Sequence, residues 1–563
     1  MRKKRLASLL AAAGLLAGSV PLMAAARASA APLADETSVV GEYLRQKPAW
    51  HQCSPDQPAS YECATIKVPL DYQRPRGKML DLAISRVRSE TPAKRHGVML
   101  LNPGGPGGSG LDLPLQIGES MPKEVREQYD MIGFDPRGVG ASSPVSCGLT
   151  DAEQNFDRAY RPETFPSDVA WARTVADKCR EKAGSVLPYI TTRNTARDMD
   201  TIRTVLGERK ISYLGYSYGT YLGAVYTQMF PNRTDRFVLD SGVDPDRVWR
   251  GMIQVWASEA EPAFARWTRW AAERGGEYHL GDSPAAVSGT FWQLVARADR
   301  DPIVFQGQKI SGDDIRRARG LFFYPAQVTP LVVALKDAAD GKPGGPAAFD
   351  MKKALAGGSG NGTGIKAGTG IKAGTGATAW TGATAGRSAA EPAPDNGAAV
   401  FFGVLCGDTA DWPRDPERYR RDAVRDKAAY PLYGDFASNI KPCAFWQRPL
   451  EAATPMKTRA AVLTVQNEWD SQTPLASGRG MHQALKGSRM ILALGGEGHG
   501  VYLADPASCV NAPVGEYLLT GRLPAKDLTC RATSGRAELG AGSGSGSAPA
   551  KPLPFPSGGP GRF

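Results

Sequence analysis

The chain has 563 residues, 42% of them hydrophobic and 22% charged, with a formal net charge of +11. That apolar share excludes a disordered chain, and the glycines follow no strict period that would make a collagen. The charge suggests nucleic acid or a membrane surface as partner, but residues 1–30 hold five basic side chains and no acid, and residues 531–563 add a net +3. The body therefore carries about +3, ordinary for its size, and no nucleic-acid partner is expected.

The chain opens with Arg2-Lys-Lys-Arg5, a Leu/Ala-rich stretch to about Ala26 and the small-x-small triplet Ala28-Ser29-Ala30. This is the pattern of a secretory signal peptide over 1–30, cleaved after Ala30. A retained membrane anchor is the alternative, for which the segment is short, and no later stretch approaches the roughly 18 apolar residues of a spanning helix. An extracellular protein without stable membrane insertion is expected. All eight cysteines follow the cleavage point, and no C-x-x-C pair occurs. An even number in an exported chain points to disulfides rather than a zinc ribbon or redox motif. Eight cysteines leave 105 connectivities open, and nearest-neighbour pairing is the working hypothesis: 53–63, 147–179, 406–443 and 509–530.

Strands are expected near 64–68, 80–86, 97–102, 130–135, 211–215, 236–240, 460–466 and 490–494, several of them continuous apolar runs. Such runs suit a parallel sheet buried on both faces. Helical patterns lie between them, one over 195–206 with Asn194 as N-cap and one after Ser217. The alternation argues an α/β fold with a mainly parallel, eight-stranded sheet. Residues 248–445 contain no convincing core strand and read as a mostly helical cap inserted between a first part, 31–247, and a second part, 446–530. Trp249, Trp256, Trp267 and Trp270 are taken as the packing core of that cap. Within it, 357–386 is a Gly/Thr/Ala repeat built on Thr363-Gly-Ile-Lys-Ala-Gly and read as a flexible loop, as is the Gly/Ser/Pro tail 531–563.

Chemistry concentrates in Gly215-Tyr-Ser217-Tyr-Gly219, placed between an apolar strand and a helical run. G-x-S-x-G alone is a weak signal; in that context it reads as a nucleophile elbow, whose tight turn needs small residues at both flanks. A serine hydroxyl needs a positioned base. In the order Ser, acid, His of the α/β-hydrolase layout, His51 and His96 fall too early, His279 lies in the cap and His482 in an amphipathic surface run. His499, in Gly495-Gly-Glu-Gly-His-Gly500 directly after a strand, is the expected base. Asp470, just past the preceding strand, is the expected acid, with Glu468 as its competitor. Asn102-Pro-Gly104-Gly105-Pro-Gly-Gly108 follows the third strand, where backbone N–H groups of glycines can approach a developing oxyanion. No Gly-Lys-Ser/Thr follows, so a phosphate loop is excluded. The expected donors are the N–H groups of Gly105 and Tyr218.

These stretches, together with Gly133-Phe-Asp-Pro-Arg-Gly-Val-Gly140 and the late Asp-x-x-Thr-Pro and Gly-His-Gly, resemble secreted tripeptidyl aminopeptidases of Streptomyces type. Those are prolyl-iminopeptidase-like serine peptidases of the α/β-hydrolase superfamily. The likeness runs from about residue 45 to 530, interrupted by the Gly/Thr repeat. Pro103 stands where prolyl iminopeptidases carry histidine. The resemblance implies release of tripeptides from free N-termini by a triad of Ser217, Asp470 and His499, with Gly105 and Tyr218 as oxyanion hole. It implies no cofactor and no metal, and peptides or proteins with free N-termini as partners of a monomer. Asp408 is the acid it suggests for the substrate amine, with a helix-capping aspartate as the competing reading. The alternatives are a carboxylesterase or lipase of the same fold, and a non-catalytic peptide- or cell-wall-binding protein.

Overall fold

The structure is a computed structural model describing residues 42–342 and 392–532. The expected signal peptide, the repeat loop at 357–386 and the tail beyond residue 532 lie outside the described residues. The strands are β1 (His51–Gln52), β2 (Tyr61–Pro69), β3 (Met79–Val87), β4 (Gly97–Asn102), β5 (Tyr129–Phe134), β6 (Ile211–Tyr216), β7 (Thr234–Asp240), β8 (Ile303–Phe305), β9 (Gln308–Ile310), β10 (Val462–Trp469), β11 (Arg489–Glu497) and β12 (Leu528–Arg531). Ten form one sheet in the order β1-β2-β3-β5-β4-β6-β7-β10-β11-β12, while β8 and β9 make a separate hairpin. The pairs β1–β2, β2–β3 and β3–β5 are antiparallel, and all the others in the large sheet are parallel. Among the described residues this is an α/β-hydrolase sheet.

All eight expected strands are present, and the sheet is wider by one short strand at each edge. Neither added strand has the apolar run that marks the others: β1 is His-Gln, and β12 is Leu-Thr-Cys-Arg with no buried position. A disulfide fastens each edge, Cys53–Cys63 beside β1 and Cys509–Cys530 on β12. Because β12 runs to Arg531, the tail expected from residue 531 begins after it.

The central strands are apolar throughout because both faces are covered. Along β4, Val98 and Leu100 join the core on one face while Met99 and Leu101 join the core on the other, the period of two that a strand imposes. The helix expected from residue 195 spans Thr192–Val205, and its N-cap is Thr191, whose hydroxyl accepts from Asn194 N–H at 3.3 Å. Thr191 has the extended backbone that a cap requires, and Asn194 is already inside the first turn.

The helical stretch between β7 and β10 contributes to two cores. Helices Arg250–Ala272, Pro284–Arg300 and Pro325–Ala339, with the β8–β9 hairpin, share an aromatic centre of Phe264, Trp267, Phe291 and Phe322. From helix Asn396–Gly407 onward the side chains return to the sheet's own core, where Phe402, Tyr419, Tyr433 and Phe436 are buried. The four tryptophans divide accordingly. Trp267 is buried in the insertion's core with Trp270 packed beside it, while Trp249 is buried in the sheet-side core with Trp256 against it.

Four disulfides form in nearest-neighbour order: Cys53–Cys63, Cys147–Cys179, Cys406–Cys443 and Cys509–Cys530. Cys406–Cys443 ties helix Asn396–Gly407 to the segment leading into β10 and closes a separation of 37 residues. A Cys406→Ala/Cys443→Ala double variant is expected to lose roughly 2–5 kcal/mol of stability, read as a lowered denaturant midpoint with unchanged cleavage of the remaining three pairs in non-reducing peptide maps.

Candidate active site

Ser217 lies between the end of β6 and helix Tyr218–Met229, at φ 59° and ψ −125°. A positive φ is costly for a residue with a Cβ, and close packing enforces it here. A methyl group on Gly219 would meet the Asn102 side-chain oxygen at 2.8 Å and the Asn102 carbonyl at 3.0 Å. The Ser217 N–H donates to the Asp240 carbonyl at the end of β7, 3.0 Å away. The turn therefore thrusts the serine side chain out at the carboxyl end of the parallel strands.

His499 and Asp470 meet at that same end. The His499 Nδ1 is 3.0 Å from each oxygen of Asp470. An ionised carboxylate only accepts, so the proton of the neutral ring sits on Nδ1 and Nε2 is left as the base. Asp470 is fully buried and also accepts from Gln472 N–H at 2.8 Å, Thr473 N–H at 2.9 Å and the Thr473 hydroxyl at 2.9 Å. Burial disfavours the charged imidazole, but the Asp470 carboxylate outweighs it, with Asp240 adding to the effect, and His499 ends above its ordinary value. Glu468 does not touch the imidazole; its carboxylate accepts from Gly495 N–H at 2.7 Å at the start of the base loop. His279 is exposed at the end of a short helix. His482 pairs with Ser488 and Asp527 beside the amino end of β11, opposite to the end that carries His499.

The glycine loop after β4 presses against the elbow. A methyl group on Gly104 would lie 2.5 Å from the Tyr216 carbonyl, 2.9 Å from Ser217 Cβ and 3.2 Å from Tyr218 N. Gly104 and Gly105 take φ of 97° and 114°, and the Gly104 N–H is fixed by the Asn102 side chain at 3.0 Å. Tyr218 opens its helix, where N–H groups have no intrahelical acceptor and the helix dipole favours negative charge. Gly105 and Tyr218, the expected donors, thus lie on the two segments packed around the serine.

Asp408, the acid suggested for the substrate amine, is enclosed and hydrogen-bonded within the fold. It is 6% exposed and accepts from Thr192 N–H at 2.8 Å, the Thr192 hydroxyl at 2.6 Å and Trp249 Nε1 at 3.2 Å. The Thr192 hydroxyl lies 2.9 Å from the Tyr218 hydroxyl, and the Trp249 ring packs on Tyr218 and Tyr221. Burial pushes the Asp408 carboxyl up to about 6 against the pull of these donors. Asp408 is thereby tied to the first residue of helix Thr192–Val205 and to Trp249, whose ring packs on the helix that follows the nucleophile.

Two family models match the chain: one described as alpha/beta hydrolase fold over residues 97–302, and one described as TAP-like protein over residues 430–530. Tripeptidyl aminopeptidase of Streptomyces lividans is 35% identical over 503 residues, 85% of this chain and 86% of that protein. The chain belongs to the tripeptidyl aminopeptidase family of α/β-hydrolases. Within this family of serine hydrolases, serine protease Hip1 of Mycobacterium tuberculosis is 28% identical over 86% of this chain and 91% of its own length. A protein named carboxylesterase B from the same organism is 31% identical over 94% of this chain and 99% of its own length.

Several residues of this tripeptidyl aminopeptidase relative that matter to the site carry no motif. Asn467 donates to the carbonyls of Gly498 and Gly500 at 3.0 and 3.2 Å, pinning both neighbours of His499. Arg319, fully buried between the rings of Trp256 and Tyr433, donates to the Ser471 carbonyl at 3.1 Å, and Trp256 Nε1 donates to the Gln472 carbonyl at 2.6 Å. Only the fact that Asn467 follows an apolar strand hints at its place; Arg319 and Trp256 lie some 150 to 220 positions away from the loop they hold. Because Asp470 holds His499 above its ordinary value, hydrolysis should fall away on the acid side at a pH above the unperturbed imidazole value near 6.5. Asp470→Asn is expected to move that limb down and to cut kcat by roughly 10³–10⁴-fold, measured as the pH profile of kcat/KM.

Proposed function

We propose that this protein is an exported serine exopeptidase that releases tripeptides or similarly short peptides from free N-termini. Ser217 Oγ attacks the scissile carbonyl while His499 Nε2 takes its proton. The N–H groups of Gly105 and Tyr218 hold the oxyanion, a contribution of about 3–4 kcal/mol per donor in comparable sites. His499 then gives the proton to the leaving amine, and water, activated by the same ring, hydrolyses the acyl-enzyme. Asp470 keeps the imidazole oriented and stabilises its charged form.

The observation that carries this reading is the Asp470–His499 pair at 3.0 Å at the same end of the sheet as a serine held at positive φ. The family named for tripeptidyl aminopeptidases adds the substrate class. The second reading is a carboxylesterase, favoured by the relative named carboxylesterase B at 31% identity, because a triad by itself does not separate esters from amides. Export through a signal peptide cleaved after Ala30 agrees with the four disulfides and with the finding that no helix among the described residues is long and apolar enough to cross a membrane. The reading also makes the protein a monomer that needs no metal or cofactor.

A panel of free and N-blocked tripeptidyl anilides, single-residue anilides and p-nitrophenyl esters separates the two readings. Free tripeptidyl anilides should be cleaved fastest and blocked ones poorly, with Ser217→Ala reducing turnover by about 10⁶-fold. Equal rates on blocked and free peptides would remove the aminopeptidase reading, and turnover confined to esters would establish the second one. N-terminal sequencing of protein from the culture medium should begin at Ala31; an N-terminus at Met1 would contradict export by cleavage.

A further inference from the structure

We propose that Asp240 is a positioning residue of the reaction, tying the backbone of the nucleophile turn to that of the base loop and placing a second carboxylate within electrostatic reach of His499. This rests on the serine-hydrolase chemistry proposed above, and not on the length of the peptide released.

Asp240 ends β7, between β6 and β10 in the sheet, and is fully buried. Its carbonyl accepts the Ser217 N–H at 3.0 Å. Its carboxylate accepts from Val501 N–H at 3.1 Å and from Tyr502 N–H at 2.7 Å. The next residue completes the arrangement. Ser241 donates its hydroxyl to Asp240 at 3.0 Å and accepts the Gly500 N–H at 2.9 Å. Three consecutive amides after His499 therefore end on two adjacent residues, and the main chain of one of them holds the nucleophile. Ser241 itself takes φ 64°, so this corner is bent to bring its hydroxyl under the loop.

The consequence for catalysis is geometric and electrostatic. The separation of Ser217 and His499 depends on two loops far apart in sequence, and Asp240–Ser241 is bonded to both. A shift of about 1 Å between reacting groups costs on the order of 10²-fold in rate. The charged and titratable groups facing Asp240 are His499, on the base loop, and the phenol of Tyr216; Asp470 faces the same imidazole. Burial pushes Asp240 up to about 7, against the pull of its N–H donors and His499, and Asp240 in turn favours the charged imidazole. Charge that appears on the ring as Ser217 attacks is thus met by Asp470 and, in its ionised form, by Asp240.

The test uses the full secreted protein and its Asp240→Asn and Ser241→Ala variants. The measurements are kcat and KM on a tripeptidyl anilide, the rate of labelling by a fluorophosphonate, the pH profile of both, and thermal melting. Asp240→Asn should lower kcat and the labelling rate by roughly 10–100-fold while KM stays within about twofold. Its acid limb should move to lower pH, since the ring loses a neighbouring negative charge. Ser241→Ala keeps the Asp240 carboxyl group and its bonds to Val501 and Tyr502 but frees the Gly500 N–H, and should slow kcat and labelling. Folded Asp240→Asn protein that labels at the wild-type rate, or whose acid limb does not move, overturns the proposal. Where Asp240→Asn does not fold, wild-type labelling by Ser241→Ala overturns it instead. Wild-type protein that labels but leaves tripeptides intact would refute the aminopeptidase reading alone, and the labelling comparison would still decide the role of Asp240.

Discussion

A serine held at φ 59° is the constraint on which the site depends. Such a backbone costs roughly 1–3 kcal/mol and persists only where its surroundings over-determine it. Here they do so from three sides. The Asp240 carbonyl takes the serine's N–H, the glycine loop after β4 leaves no room for a Cβ against Tyr216 and Ser217, and the helix behind the turn is packed on Trp249 through Tyr218 and Tyr221. The same crowding that holds the serine out also packs the glycine loop and the start of the following helix against it.

The insertion between β7 and β10 does more than cover the sheet. Arg319 and Trp256 reach from it to the carbonyls of Ser471 and Gln472, directly after the acid. Tyr324 approaches the Ser471 hydroxyl at 3.3 Å, and Arg266 lies over the Trp469 ring at 4.5 Å. The loop that carries Asp470 is therefore clamped between the sheet and the insertion. In a buried, low-dielectric setting such bonds are strong and unforgiving.

Much of this was legible in the chain. The eight apolar strands stand out because a sheet covered on both faces needs uninterrupted hydrophobic runs. Ser217, Asp470 and His499 stand out because their order, their strand-end positions and their glycine-rich neighbours coincide. Glu468 could not be set aside from its position alone, since it lies two residues from Asp470; the structure separates them by giving Glu468 the Gly495 N–H and Asp470 the imidazole. Asp408 was legible only as an acid in a suggestive place. Its occupation by Thr192 and Trp249 depends on segments more than 150 residues apart. β1 and β12 were silent because edge strands this short carry no hydrophobic period, and disulfides hold them in place of apolar burial.

The sequence by itself determined the class of sheet, that the eight cysteines would pair as disulfides and the residue types needed for acyl transfer, while the structure fixed which cysteines pair. What the sequence determined is written in the chain's own pattern: runs of apolar residues, an even count of cysteines, small residues about a serine. Also settled locally was the meaning of the +11 charge, most of which sits at the two ends of the chain rather than on a binding face. Only the tertiary structure decided which acid orients the base, that Asp408 is tied to Thr192 and Trp249, and that Asp240, Asn467 and Arg319 hold the loops around the site. Those assignments rest on hydrogen bonds between distant segments, and a buried polar group finds its partner through the fold and not through its neighbours in sequence.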